Sequence, residues 1–281
     1  MPPTGFFYTT PSWAIGGALL ALLWLVTKVG FHLGVRARAQ QQAGDSVNIG
    51  LVHGAVLGLL SLLLAFTYSF VAGRHNVRQA LIVREANTIG TAFLRSGLLP
   101  ETPRRDLQAL LRQYLDSRIL SEEVAVQPSK LAEAIQRSEQ LQAALWPTAS
   151  RDIAGRLPTV LDSLVLQALN EVIDVHTERL AAAEYRLPSV ILWLLCALAL
   201  TGLALTGFGS GLHGRRSTYG TGALAVLVMA VILSIIALDS PRQRFIRLTQ
   251  TSLIRLRDHL QAETTATALP QPVPPLQRDT P

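Results

Sequence analysis

Four apolar runs, each long enough to cross a hydrocarbon layer about 30 Å thick, constrain this chain more than any other feature. They are Trp13–Phe31, WAIGGALLALLWLVTKVGF; Ile49–Ala72, IGLVHGAVLGLLSLLLAFTYSFVA; Val190–Phe208, VILWLLCALALTGLALTGF; and Thr221–Leu238, TGALAVLVMAVILSIIAL. A helix of about 20 residues spans that layer and satisfies its own backbone, which lipid cannot do for it. Hydrophobic residues make up 49% of the 281 and charged residues 16%, too apolar a balance for an ordinary soluble fold. The chain therefore reads as a multi-pass integral membrane protein whose first partner is the lipid bilayer. Lys28 lies near the end of the first span, where its stem can snorkel to the interface. The stretch before that span carries no Lys or Arg, and the apolar core is longer than a signal peptide's, so it reads as a retained span. The spans fall into two pairs, 13–31 with 49–72 inside an N-terminal portion 1–72, and 190–208 with 221–238 inside 188–238.

Between the pairs lies a polar segment, 73–187, which reads as helical throughout. Thr102-Pro103 supplies an N-cap with proline at the first helical position, and Leu107, Leu110, Leu111, Tyr114 and Leu115 then form one apolar stripe. A second helix begins after Pro128. A third follows the break at Gly155 and Pro158, repeating apolar residues at spacings of three and four up to Pro188. No stretch alternates with period two, so the fold class is all-α: four transmembrane helices in two pairs, with a helical extramembrane domain between spans 2 and 3. Beyond span 4, residues 239–263 read as a basic amphipathic helix with Ile246, Leu253, Leu256 and Leu260 close to heptad spacing, expected to pack on the polar domain. The Thr- and Pro-rich residues 264–281 read as a disordered tail.

The polar residues offer no catalytic constellation. Glu85, Asn87, Asn170, Glu171, Asp174 and His176 lie on two helices that can face each other. Yet Asp174 and His176 are two apart and point to different faces, and no Glu-x-x-His or H-E-x-x-H spacing is present. These groups read as structural hydrogen bonding between helices, with no metal, no cofactor and no enzymatic activity expected. His53 inside span 2 reads the same way, as a helix-to-helix hydrogen bond. The single cysteine, Cys196, lies within an apolar run and reads as a buried inert thiol. The net charge of +6 comes from scattered arginines rather than an aromatic-bearing platform, which excludes nucleic acid as a partner. Span 2 also carries Gly50, Gly54 and Gly58 at spacing four, a small-residue face that lets another helix approach closely.

LLLAFTYSFVAGRHNVR ending span 2, then EANTIGTAFLRSGLLP, RQYLDSRI and LNEVIDVHTERLAA, a proline before span 3 and an aspartate closing span 4 together form a pattern. It resembles the bestrophin-like domain family of bacterial membrane proteins, over about residues 13–260. Glu85, Asn87, Asn170, Asp174 and Asp239 are the polar residues within it. One departure is visible: where family members often carry glycine soon after the aspartate and proline, this chain has Asp239-Ser240-Pro241-Arg242-Gln243-Arg244. The resemblance implies a relationship to bestrophin anion channels, in which the second span lines a pentameric pore and narrows it with apolar and aromatic side chains. The matching feature here is Leu62, Phe66 and Phe70, spaced by four along one face, a ring type that gates by dewetting.

Two functions from different classes follow. The first is a bestrophin-like oligomeric channel, a homopentamer if the likeness extends to assembly, passing inorganic anions along span 2. The second is a non-conducting membrane scaffold or sensor whose helical domain binds a partner. Ten Lys and Arg flank the long segment and the tail against five at the two short loops, which places both termini and the helical domain in the cytoplasm of a bacterial inner membrane.

Overall fold

A computed structural model describes residues 10–40, 49–124, 127–154, 157, 159–214, 218–239 and 249–268. Among them every regular element is a helix: α1 (Ser12–Gln40), α2 (Ile49–Ser96), α3 (Glu101–Glu123), α4 (Pro128–Ala154), α5 (Val160–Glu184), α6 (Ser189–His213), α7 (Thr218–Asp239) and α8 (Thr251–Ala268). Among the described residues four stretches are long and apolar enough to cross a membrane, Trp13–Gln40, Gly50–Ser96, Val160–His213 and Tyr219–Asp239. The protein is an all-helical membrane protein. The chain divides into two compact units, Met1–Arg78 with Ala182–Leu248, and Gln79–Ala181 with Thr249–Pro281. The divisions fall within the residue ranges of α2 and α5.

At about 1.5 Å per residue, the 48 residues of α2 reach about 72 Å, far beyond a 30 Å hydrocarbon layer. Its first half is apolar on all sides, as lipid and neighbouring helices require. Past Gly73 the pattern changes to single apolar stripes separated by charge, as water requires.

In the first unit the tightest helix contact joins the two sequence pairs, α1 from one and α6 from the other. Glycine makes it possible. A Cβ on Gly30 would collide with the Ala204 carbonyl, and one on Gly34 with the Phe208 carbonyl; from the other side, Gly207 meets the Thr27 carbonyl and Gly211 that of Phe31. Where lipid is as apolar as the side chains, such backbone-to-backbone approach supplies the attraction between helices. Leu23, Ala199, Leu203, Ile232 and Ile235 fill the surrounding core with no exposed surface. Gly214 ends α6 in the left-handed region at φ 64° and returns its N–H to the Gly211 carbonyl, a backbone setting that suits a residue without Cβ.

In the second unit α3 buries Leu107, Leu111, Tyr114 and Leu115, with Leu110 half-buried, the stripe expected from spacing. α5 opens with a reciprocal cap: the Thr159 N–H donates to Asp162 Oδ2 at 2.7 Å and the Asp162 N–H to Thr159 Oγ1 at 3.3 Å, so two orphan donors at the helix start are satisfied. α8 rests on the extramembrane stretch of α2, where Leu256 lies 3.2 Å from a Cβ position on Gly90. The Gln79 amide completes that attachment by exchanging two hydrogen bonds with the Thr249 backbone, at 2.8 and 2.9 Å. Packing on the helical unit is thus the fate of the basic helix, with Leu253 and Leu260 buried. Within the expected range 239–263 the helix is described from Thr251, and it continues to Ala268, five residues into the stretch read as disordered. Ile246 and residues 269–281 lie outside the described residues.

Candidate functional site

The transmembrane part of α2 divides into three faces. Leu60, Leu64, Thr67 and Val71 are buried within the chain; at 100° per residue these positions fall in one narrow stripe. His53 extends the attachment by a 2.9 Å hydrogen bond to Thr206 Oγ1 on α6, so its part is the helix-to-helix bond expected from sequence. Leu62, Phe66 and Phe70 lie about 120° around the helix from that stripe, and all three are exposed, Phe66 at 65%. On the remaining third, Gly54 and Gly58 have no atom within 4 Å of a Cβ position, and Gly50 is exposed. Among the described residues, therefore, Gly54 and Gly58 meet no neighbouring helix. The close glycine contacts are those of α1 and α6 instead.

Where span 2 ends, two arginines and an aspartate bind the helix termini of the first unit. Arg78 Nε donates to the Ala182 carbonyl at 3.0 Å and Nη2 to that of Tyr185 at 2.8 Å, while Nη1 reaches the Asp239 carbonyl at 3.2 Å. These acceptors lie at the C-terminal ends of α5 and α7, where carbonyls lack intrahelical donors and the helix dipole favours a cation. Asp239 is 1% exposed; its Oδ2 accepts the Leu187 N–H at 2.9 Å and its Oδ1 lies 3.4 Å from Arg74 Nη1. The aspartate singled out by the sequence pattern is thus a buried anchor for the turn between α5 and α6.

The second unit is centred on a carboxylate. Glu85, on the continuation of α2, has no exposed surface. Arg118 Nε donates to its Oε1 at 2.8 Å, Arg179 Nη1 to its Oε2, and the Tyr114 hydroxyl to Oε1 at 3.1 Å. Tyr114 also meets His176 Nδ1 at 3.0 Å. With the Tyr114 O–H donating to the carboxylate, His176 Nδ1–H donates to the tyrosine oxygen and Nε2 is left as a bare nitrogen, buried and without a hydrogen-bond partner. Burial alone would raise the Glu85 carboxyl, but the guanidiniums of Arg118 and Arg179 and the hydrogen bonds from Arg179 and Tyr114 outweigh it and hold the group below the usual carboxylate range. Burial pushes the Tyr114 hydroxyl up, reinforced by the Glu85 charge. Burial, helped by Arg118 and Arg179 against the opposing pull of Glu85, lowers His176 to about 4. At neutral pH the cluster is one anion, two cations and a neutral imidazole.

The structure thus brings together Glu85 and His176 of the sequence-read polar set and separates the rest. Asn87, Asn170, Glu171 and Asp174 are exposed, each turned away from its helix's buried face. Three members were not anticipated: Tyr114 as a polar group, Arg118 and Arg179. Glu85, Tyr114, Arg118, His176 and Arg179 are all buried. The chemistry of the cluster is the joining of α2, α3 and α5 at one point.

The sequence matches the Bestrophin-like domain over residues 20–253. No curated protein matches it. Among solved structures, a bacterial bestrophin homologue from Klebsiella pneumoniae is similar, at TM-score 0.64 and 15% identity over 87% of this chain and 97% of that one. A tryptophan-to-alanine variant of a Klebsiella pneumoniae bestrophin homologue is also similar, at TM-score 0.63 and 13% identity over 89% and 97%.

Proposed function

The chain belongs to the Bestrophin-like domain family, and from that premise we propose that it assembles as a closed ring of identical subunits that conducts inorganic anions along α2. The supporting observation is the three-way division of that helix. A helix at the centre of a ring needs one face for its own subunit, one for a neighbour and one for the conduit, and α2 offers a buried stripe, an open small-residue face and an exposed aromatic face. On this reading Gly50, Gly54 and Gly58 admit the adjacent subunit. Leu62, Phe66 and Phe70 form an apolar neck in which water is unstable unless the ring widens. Conduction of this kind needs no catalytic group, and the cluster around Glu85 then serves to keep the extramembrane helices in register. A pentamer is the ring size that the family suggests.

The deciding experiment is chloride efflux from liposomes holding wild type or Phe66→Ala, normalised to folded protein. Removing bulk from every subunit at one level should keep the neck wet for longer and raise the flux. A dispensable lipid-facing ring predicts no change, and absent flux from intact oligomers of either protein sinks the channel. In that event the second reading holds, a scaffold or sensor whose helical unit binds a partner. Leu94, Leu98, Val160 and Leu161, exposed apolar residues of that unit, favour it by leaving surface for a contact. The termini and the helical unit are proposed to be cytoplasmic in a bacterial inner membrane. A cysteine introduced by Gln136→Cys, at an exposed position of α4, should then resist an impermeant thiol reagent in intact cells; labelling there reverses the orientation.

A further inference from the structure

Phe70 closes the proposed neck at the end of span 2, and one helical turn further on the Arg74 guanidinium carbon lies 5.7 Å from the centre of its ring. A cation over a ring face favours one orientation of that ring, where an exposed phenylalanine on a helix otherwise divides between two side-chain rotamers. Arg74 is itself held. Its Nη1 faces Asp239 Oδ1 at 3.4 Å, and that carboxylate is almost fully buried, so little water screens the pair. Asp239 in turn is fixed at both ends: its second oxygen accepts the Leu187 N–H at 2.9 Å, and its backbone carbonyl accepts from Arg78 at 3.2 Å. Each link touches the next, from the turn between α5 and α6 to the ring at the neck.

We infer that Arg74 is a positioning residue for Phe70, and that Asp239, at the end of α7, sets Arg74. This rests on the pore reading for its consequence in conduction, but not for the contact itself. The orientation of the Phe70 ring then depends on where the Tyr185–Pro188 turn and the α7 terminus stand. A displacement of either releases the guanidinium, and with it the ring. Arg74 acts here as a lever whose far end is an anion at the base of the fourth span, and its charge serves the ring rather than the passing ion.

The test uses the full-length protein in lipid nanodiscs with 4-fluorophenylalanine in place of Phe70, read by fluorine NMR, alongside chloride efflux from liposomes. Arg74→Gln should shift and narrow the fluorine resonance, because the ring becomes free to exchange rotamers, while Arg74→Lys should keep it near the wild-type position. Asp239→Asn should reproduce the effect of Arg74→Gln with the arginine still present. Efflux per folded protein should change in Arg74→Gln by about threefold, the population shift expected of one exposed cation–π contact. A resonance indifferent to Arg74→Gln overturns the inference, as does one that moves equally in Arg74→Lys. If the resonance follows Arg74 but wild type passes no chloride, the positioning stands and the pore reading falls. Should Asp239→Asn fail to fold, the contrast between Arg74→Gln and Arg74→Lys decides alone.

Discussion

The two units of this chain place their polar groups in opposite ways. In the membrane unit the closest helix contact, α1 against α6, is built from glycines meeting backbone carbonyls, and the charged groups Arg74, Arg78 and Asp239 gather around the C-terminal ends of α5 and α7. In the helical unit a carboxylate stands at the centre, with arginines from α3 and α5 closing on it. The solvents explain the difference. Lipid gives apolar side chains no reason to associate, so membrane helices hold by close approach and cannot leave a charge at mid-depth. Water drives apolar faces together without choosing a register, and one directed ion cluster can make that choice. The membrane unit should therefore fail by steric insult and the helical unit by loss of charge balance.

The largest effect is expected at Glu85. Glu85→Ala leaves Arg118 and Arg179 buried without their anion, which typically costs about 3–5 kcal/mol. The intact variant should show early protease cleavage between residues 79 and 181 and a lowered melting temperature. Glu85→Gln should fall nearly as far, because it keeps the volume and the Tyr114 contact but not the charge. If Glu85→Ala melts with wild type, the central carboxylate is decoration and the contrast between the units collapses.

Acid gives the next effect. His176 in the folded chain binds its proton at about 4, against about 6.5 when unfolded. The unfolded state therefore takes up the proton first, and stability drains away as pH falls from 6.5 toward 4, by on the order of 3 kcal/mol. Glu85 acts in a lower window: its depressed carboxyl contributes fully above its unfolded value and is lost only as pH falls through the folded one. Chemical denaturation at pH 7 and at pH 4.5 should show the loss in wild type and a much flatter response in His176→Gln. Equal slopes would place the acid sensitivity elsewhere.

A steric test of the membrane unit comes third. Gly207→Val adds a branched side chain where even a Cβ would strike the Thr27 carbonyl, and overpacking of this kind costs about 1–3 kcal/mol or more. Melting in detergent should fall while the central ion cluster of the other unit stays protected from exchange. A variant that melts like wild type would show that α1 and α6 stand further apart than their glycines suggest.

Parts of this arrangement were legible in sequence because they need no knowledge of a partner. An apolar run of span length declares itself, and so does a stripe such as Leu107, Leu111, Tyr114 and Leu115. Long-range partners do not, because a charge network depends on where three helices meet. Even so, a signal was present. Arg118 continues the phase of Leu107, Leu111 and Leu115, and Arg179 that of Val165, Leu169, Val172 and His176, so each arginine falls on a face that must be buried. A charged residue in register with an apolar stripe points to a buried ion pair, whereas Asn170 and Asp174 fall out of register and are exposed. The same holds for glycine. Span 2 carries Gly50, Gly54 and Gly58 at spacing four, yet Gly30 with Gly34, and Gly207 with Gly211, have the same spacing on two helices at once. It is that coincidence on two helices, rather than a longer run on one, that accompanies close packing within the chain.

The smallest effect separates packing within a chain from packing between chains. Gly58 has open space where a Cβ would stand, so Gly58→Ala should meet nothing inside its own subunit. A helix interior gains about 0.5–1 kcal/mol when glycine becomes alanine, and the isolated subunit should melt unchanged or slightly higher. If the face meets a neighbouring subunit, the added methyl forces two backbones apart, and the oligomer should dissociate at higher protein concentration than wild type while the subunit remains folded. Gly54→Leu should exaggerate the same separation, lowering the mass of the assembly without unfolding the chain. Native mass spectrometry in parallel with thermal melting distinguishes the outcomes. Loss of assembly with an intact subunit places the glycine face between subunits; no change in either assigns it to lipid; and a fall in subunit stability would mean that the open space beside α2 is filled by its own chain.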